Sequence, residues 1–298
     1  MVVVLVTLGA AVAVGLAATL VFLRLPQADI SATRTVGEEL RRSPRIRRFL
    51  RSRMQPGVAT GLALTVTFIA TVIAGTLIGV LVYMVRKHTG LVGWDLQVAD
   101  WADTHSGTGS TKVLEVFTQF GATVTIVVLS VIAAIYGYLR WKGPSVVLYI
   151  LAVVGGQLLI SNAIKAAVAR ARPDIHPLAG FSGPSFPSGH TTAAAATFAA
   201  LALVIGRGKS AKVRAMLGGT AVGIAIAVGC SRIFLGVHWL SDVIAGLALG
   251  WSWFAICTVA FGGRILRFGV PAEVAAAPAN GPGSAPAAAP RGASSAAH

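Results

Sequence analysis

Residues 231–242 read SRIFLGVHWLSD and join two apolar runs, 215–233 and 240–262, each close to the roughly 20 residues that a membrane-spanning helix needs. An arginine, a histidine and an aspartate gathered where two spans meet are costly at membrane depth. They mark a functional site by default. Five more runs of the same kind lie upstream, near 2–23, 58–85, 116–139, 145–168 and 190–206. The second is long enough to tilt and the fifth short enough to be a doubtful span. Of the 298 residues, 55% are hydrophobic and 12% charged, about half the charged fraction of a soluble domain. The fold expected is all-α: a polytopic transmembrane helix bundle whose Ala, Gly, Val and Thr content suits close helix packing.

The net charge of +15 is placed unevenly. Residues 24–57 carry nine arginines, in RRSPRIRRFLRSR among others, against Asp29, Glu38 and Glu39. Such a loop belongs on the cytoplasmic side. Alternating from it, Arg140, Lys142, Arg207, Lys209, Lys212, Arg214, Arg264 and Arg267 also fall inside. Segments 87–115, 169–189 and 234–239 are then extracytoplasmic, with the amino terminus outside and the carboxyl terminus inside. The division expected is a transmembrane anchor over 1–24, an Arg-rich cytoplasmic loop over 25–57, a six-span unit over 58–262 and a tail over 263–298. The first run lacks a basic start and has its arginines on the carboxyl-terminal side, which favours an uncleaved anchor over a signal peptide. Beside a membrane the basic loop suits anionic headgroups rather than nucleic acid, so membrane lipids are the partners expected. The tail is Ala, Pro, Gly and Ser, cannot bury a core, and reads as disordered. Cys230 and Cys257 sit in apolar runs as small hydrophobes and suggest neither a disulfide nor a metal site.

Three stretches on the predicted outer side carry chemistry. In KAAVARARP, Lys165 and Arg172 are seven apart, about two helical turns, so they share a face while Arg170 points roughly 160° away from Lys165. Interfacial snorkelling explains Arg170 and is an alternative for the whole stretch. In FPSGH, residues 186–190, Ser188 and Gly189 precede a helix whose first N–H groups have no internal partner and whose dipole favours an anion. They either cradle phosphate oxygens beneath His190 or form a plain cap. In the opening stretch, His238 and Asp242 at i and i+4 share a helix face. The carboxylate accepts from one ring nitrogen and leaves the other as nucleophile or base. Two histidines, one aspartate and three basic residues thus fall on one membrane side.

Lys165 to Pro173 as KxxxxxxRP, residues 187–190 as PSGH and Ser231 to Asp242 as SRxxxxxHxxxD resemble, in that order, the type 2 phosphatidic acid phosphatase family. The resemblance covers about 58–262, six spans, and leaves the first span, the basic loop and the tail outside. It implies a lipid phosphatase in which His238 is the nucleophile, oriented by Asp242. His190 protonates the leaving oxygen and then activates water, while Lys165, Arg172, Ser188, Gly189 and Arg232 hold the phosphoryl oxygens. Fixed cations and backbone donors suit the charge that phosphoryl transfer spreads over its equatorial oxygens. No cofactor or metal is expected, since only Asp174 and Asp242 among the ten acidic residues lie in the motif stretches and their connecting loop.

The substrate expected is a lipid phosphate handled at the extracytoplasmic face of the cell membrane. A polyprenyl pyrophosphate of the undecaprenyl type comes first, because 19 Arg to 6 Lys and heavy Ala and Gly use suggest a GC-rich bacterial genome. Phosphatidic acid or phosphatidylglycerophosphate comes second. Residues 94–105, WDLQVADWADTH, are read either as a lid beside the headgroups or as an aromatic anchor. An anion or lipid transporter would also use intramembrane basic residues, but it needs no nucleophile with a separate acid. A vanadium haloperoxidase of the same superfamily is disfavoured because those relatives are typically soluble.

Overall fold

The computed structural model describes residues 1–24, 56–142, 144–174, 178–180 and 182–265. The Arg-rich loop and the Ala/Pro-rich tail lie outside the described residues, apart from their edges. Nine helices follow one another, with no strand among the described residues: α1 (Val2–Arg24), α2 (Pro56–Lys87), α3 (Val92–His105), α4 (Thr108–Gln119), α5 (Thr123–Trp141), α6 (Ser145–Val168), α7 (Gly189–Gly206), α8 (Ala211–Phe234) and α9 (Leu240–Ile265). Among the described residues seven apolar spans are long enough to cross a membrane, α4 and α5 together making one.

The doubtful fifth span, α7, is the centre of the bundle. It is 67% buried where the other spans reach at most 39%, so its 18 residues, roughly 27 Å of rise, contact protein rather than lipid along most of their length. Ala196, Ala200, Leu201 and Val204 of α7 pack with Tyr149, Ile150 and Val153 of α6 and with Cys257 of α9. Both cysteines are free. The added span α1 runs along α8 on a seam of small residues. A Cβ at Gly15 would stand 2.9 Å from the Gly219 carbonyl oxygen, so only glycine lets the two backbones meet there.

Two element boundaries differ from the expectation. The third span was expected to start at 116, but the helix breaks between Gln119 and Thr123. The break brings the chain against the start of α7: a Cβ at Gly121 would lie 2.7 Å from the His190 carbonyl oxygen. Likewise the helical continuation from the apolar run 145–168 to Pro173, on which Lys165 and Arg172 would share a face, is absent. Instead α6 stops at Val168, and Ala169 takes a left-handed conformation (φ 49°) with its N–H bonded to the Lys165 carbonyl. The turn carries Arg170 inward, where its carbonyl accepts from Ser185 N–H and its side chain reaches Asp242.

Candidate active site

The loops that carry the motifs are tied to one another by their backbones. Ser188 N–H donates to the Asp242 carbonyl, Leu178 N–H to that of Leu235, and Ser185 N–H to that of Arg170. Between α8 and α9, Gly236 takes a left-handed φ of 69°. Leu235 and Val237, both fully buried, anchor the hairpin, and His238 N–H bonds back to the Arg232 carbonyl at 3.2 Å. His238 therefore faces a cavity of about 800 Å³ lined also by Lys165, Arg172, Gly189, His190 and Arg232.

Within that cavity the imidazole of His238 has one partner on each nitrogen. Nδ1 lies 3.3 Å from Asp242 Oδ2 and Nε2 lies 3.1 Å from Arg172 Nη1. A guanidinium can only donate, so Nε2 must accept; the ring proton sits on Nδ1 and is given to the carboxylate. Burial pushes the His238 pKa down to about 4 against the upward pull of Asp242, with Arg172 and Arg232 lowering it further. The ring is thus neutral near pH 7, with its Nε2 lone pair turned into the cavity.

Two of the cations around it, Arg172 and Lys165, are held by main-chain carbonyls. Arg172 donates to Gly183 O, Val237 O, Ser182 O and Pro184 O. It reaches the cavity from the turned-back loop rather than from a helical face shared with Lys165. Lys165 Nζ donates to Pro184 O at 2.7 Å. Arg232 is 5% exposed and gives one bond to Thr118 Oγ1 at 3.1 Å, while its Nε has no partner. These arginine and lysine donors face a space that suits an anion of phosphate size.

Ser188 is placed differently from the other motif residues. It is fully buried, lies outside the cavity lining, gives no side-chain cap to α7, and accepts from Thr191 Oγ1 at 2.9 Å. Gly189, at the first turn of α7, does line the cavity. Among the described residues no group of three His, Cys, Asp or Glu is placed to hold a metal ion.

Two residues outside the expected set complete the site. Arg170, expected to snorkel, is turned inward with its side chain only 9% exposed. One Nη donates to Asp242 Oδ1 at 2.7 Å and to Ser241 Oγ at 2.7 Å; the other donates to Asp95 Oδ2 at 2.7 Å. Asp95 also accepts from Ser241 N at 2.9 Å and Ser241 Oγ at 2.6 Å. Residues 94–105 are thus neither a free lid nor only an aromatic anchor. Asp95, Ala99 and Ala102 form the buried face of α3, while Trp94 and Leu96 remain exposed. The site holds a further acid that the motif stretches do not supply.

A family profile described as "PAP2 superfamily" matches residues 146–265. Among similar proteins, a lipid A 1-phosphatase of Rhizobium johnstonii is 40% identical over 131 residues, 41% of this chain and 48% of that protein. The match thus spans about half the length of that relative. Phosphatidylglycerophosphatase B of Bacillus subtilis is 34% identical over 165 residues, 53% of this chain and 77% of that protein. A crystal structure of a transmembrane PAP2-type phosphatidylglycerolphosphate phosphatase from Bacillus subtilis superposes with a TM-score of 0.61 at 30% identity, covering 66% of this chain and 98% of that one. The chain belongs to the PAP2 superfamily, and its fold is that of the membrane-embedded phosphatases in it.

Proposed function

We propose that the chain removes phosphate from a lipid at the extracytoplasmic end of its bundle, through a phosphohistidine on His238. The observation that carries this reading is a neutral His238, proton on Nδ1 toward Asp242 and lone pair on Nε2, in a cavity that also holds Lys165, Arg172, Arg232 and His190. Arg172 passes its Nη1 donor from His238 Nε2 to a phosphoryl oxygen. The freed Nε2 lone pair attacks phosphorus as the bond to the lipid oxygen breaks, and protonated His190 gives that oxygen its proton. Water then attacks phosphorus, His190 takes the water's proton, and the N–P bond breaks to release inorganic phosphate. Acid and base roles fall to one residue in successive steps.

The cavity runs from this end down between α5 and α6, where Val127 and Leu158 line it and are about half exposed on the bundle surface. A lipid can enter sideways there with its chains still in the bilayer. The α6 wall below Lys165 carries Gln157, Ser161 and Asn162; Gln157 and Ser161 are buried, and Ser161 Oγ has no hydrogen-bond partner. A bare isoprenoid chain would leave such groups unsatisfied, whereas an acylated glycerol or sugar offers oxygens to them. The substrate we infer carries its phosphate on an acylated polar backbone. Polyprenyl pyrophosphate, favoured from genome composition alone, ranks behind it.

Phosphate release in detergent from phosphatidylglycerophosphate, phosphatidic acid, an acylated glucosamine 1-phosphate and polyprenyl pyrophosphate tests this ranking. The double substitution Gln157→Leu with Ser161→Ala is expected to lower kcat/KM on the preferred acylated substrate about 10-fold, the loss of roughly one net hydrogen bond to substrate, and to spare polyprenyl pyrophosphate. Preference for the isoprenoid, with rates indifferent to the substitutions, would reverse the ranking.

Sidedness follows from the placement of the basic loops. A cysteine at Ser182, on the cavity rim, is expected to react with an impermeant thiol reagent in intact cells. One at Ser210, at the opposite end where α8 begins, is expected to react only after the membrane is opened. The opposite labelling pattern would place the site on the cytoplasmic side.

A further inference from the structure

We infer that Arg170, clamped between Asp95 and Asp242, is a positioning residue that fixes the orientation and charge of the carboxylate behind the nucleophilic histidine. The inference deepens the phosphohistidine reading and rests on it. Asp242 has two oxygens with separate duties: Oδ2 receives His238 Nδ1 at 3.3 Å and Trp239 N–H at 3.0 Å, and Oδ1 receives Arg170 at 2.7 Å. Without the Arg170 contact the carboxylate keeps only its Oδ2 bonds, so its plane, and the imidazole it steers, is less firmly fixed.

The clamp is built in three tiers, with Asp95 and Ser241 buried and Arg170 and Trp239 partly so. Arg170 is gripped on its far side by Asp95, and Asp95 is fixed in turn by the Ser241 N–H and hydroxyl. Trp239 covers the guanidinium, with Arg170 Cζ 5.3 Å from its ring centre, and its own indole N–H is tied to the Ala171 carbonyl at 2.9 Å. A two-pronged guanidinium can bridge two carboxylates in fixed geometry, which a lysine cannot. The clamp also sets charge. Arg170 and Asp95 together are neutral, but the positive end of that pair touches Asp242 and offsets part of the field it exerts on His238. The other ionisable groups around His238 are Arg172 from the turned-back loop, Arg232 from α8, His190 from α7 and Lys165 from α6.

Because the neutral ring is the nucleophile, activity is lost as pH falls through the His238 pKa, so the wild-type acid limb of kcat/KM belongs near pH 4. Arg170→Met exposes His238 to the full charge of Asp242 and strengthens its hold on a proton. The limb is expected to move up by about one unit or more, the size of shift that one charged neighbour produces. In the same variant kcat is expected to fall about 100-fold, as misplacement of a reacting group costs, with KM within about 3-fold of wild type. Arg170→Lys should recover part of both effects. Asp95→Asn keeps the shape of the clamp but leaves all of Arg170 to Asp242; it should lower kcat about 10-fold with no upward move of the limb.

A limb that stays in place in Arg170→Met, or a loss carried wholly by KM, would overturn the positioning role. Should Arg170→Met not fold, an upward limb shift in Asp95→Asn, or a wild-type profile in Arg170→Lys, would do so. Labelled phosphohistidine in the wild-type enzyme separates the two levels: if it is absent the phosphohistidine reading fails, and if it is present with an unmoved limb only the clamp fails.

Discussion

Replacing His238 by alanine is expected to lower turnover about 10⁶-fold, the scale on which loss of a catalytic nucleophile is felt. His238 lies in the cavity with its second nitrogen turned away to Asp242. Among the side chains that line the cavity with it, Lys165, Arg172 and Arg232 are cations suited to hold phosphoryl oxygens, and His190 is assigned the acid role. No phosphoenzyme should form in this variant whatever the leaving group. His190→Ala is expected to differ in kind. A leaving oxygen of low pKa needs little protonation, so an aryl phosphate should restore the first displacement in part. Phosphoenzyme should then build up, because the second displacement still lacks its base. Absence of any adduct with the aryl substrate in His190→Ala would remove His190 from the acid role.

Asp242→Asn is expected to cost about 10⁴-fold in kcat with little change in KM, as a catalytic imidazole held in the wrong tautomer does. Three donors approach this side chain, Arg170 on Oδ1 and both Trp239 N–H and His238 Nδ1 on Oδ2. An amide satisfies only one side. If its NH₂ faces Arg170, donor meets donor. If it faces His238, the ring proton is driven to Nε2 and the lone pair leaves the cavity. A kcat within about 10-fold of wild type would show that Asp242 does not govern the tautomer.

The seven spans were legible because hydropathy alone reports them, and the site's main residues were legible because each motif sits at a helix end. Arg232 lies in the last turn of α8, His238 in the five-residue turn that follows and Asp242 in the first turn of α9, and His190 starts a helix. The tiers behind them were not. Helical spacing points Arg170 away from Lys165 to snorkel at the interface, yet the chain turns left-handed at Ala169 and carries it inward. No glycine marks that turn. Asp95 meets Arg170 across 75 residues and Ser241 across 146, distances at which spacing rules are silent. One signal was present in WDLQVADWADTH: Asp95, Ala99 and Ala102 recur at helical spacing, placing an acid on the same face as two small residues. A carboxylate there points toward protein, while Trp94 and Leu96 point away. The break between α4 and α5 was hidden for another reason. Phe120, Gly121 and Ala122 keep the run apolar, and the need for glycine arises only from the approach of His190.

The central claim is that phosphate passes through His238 Nε2. Rapid-quench trapping of the full-length enzyme with lipid labelled at the scissile phosphate, followed by peptide mapping, tests it most directly. An acid-labile, base-stable adduct on His238 is expected, formed before phosphate release, absent in His238→Ala and accumulated in His190→Ala with an aryl phosphate. An adduct that persists in His238→Ala, or steady phosphate release with no adduct in the wild-type enzyme, would contradict it.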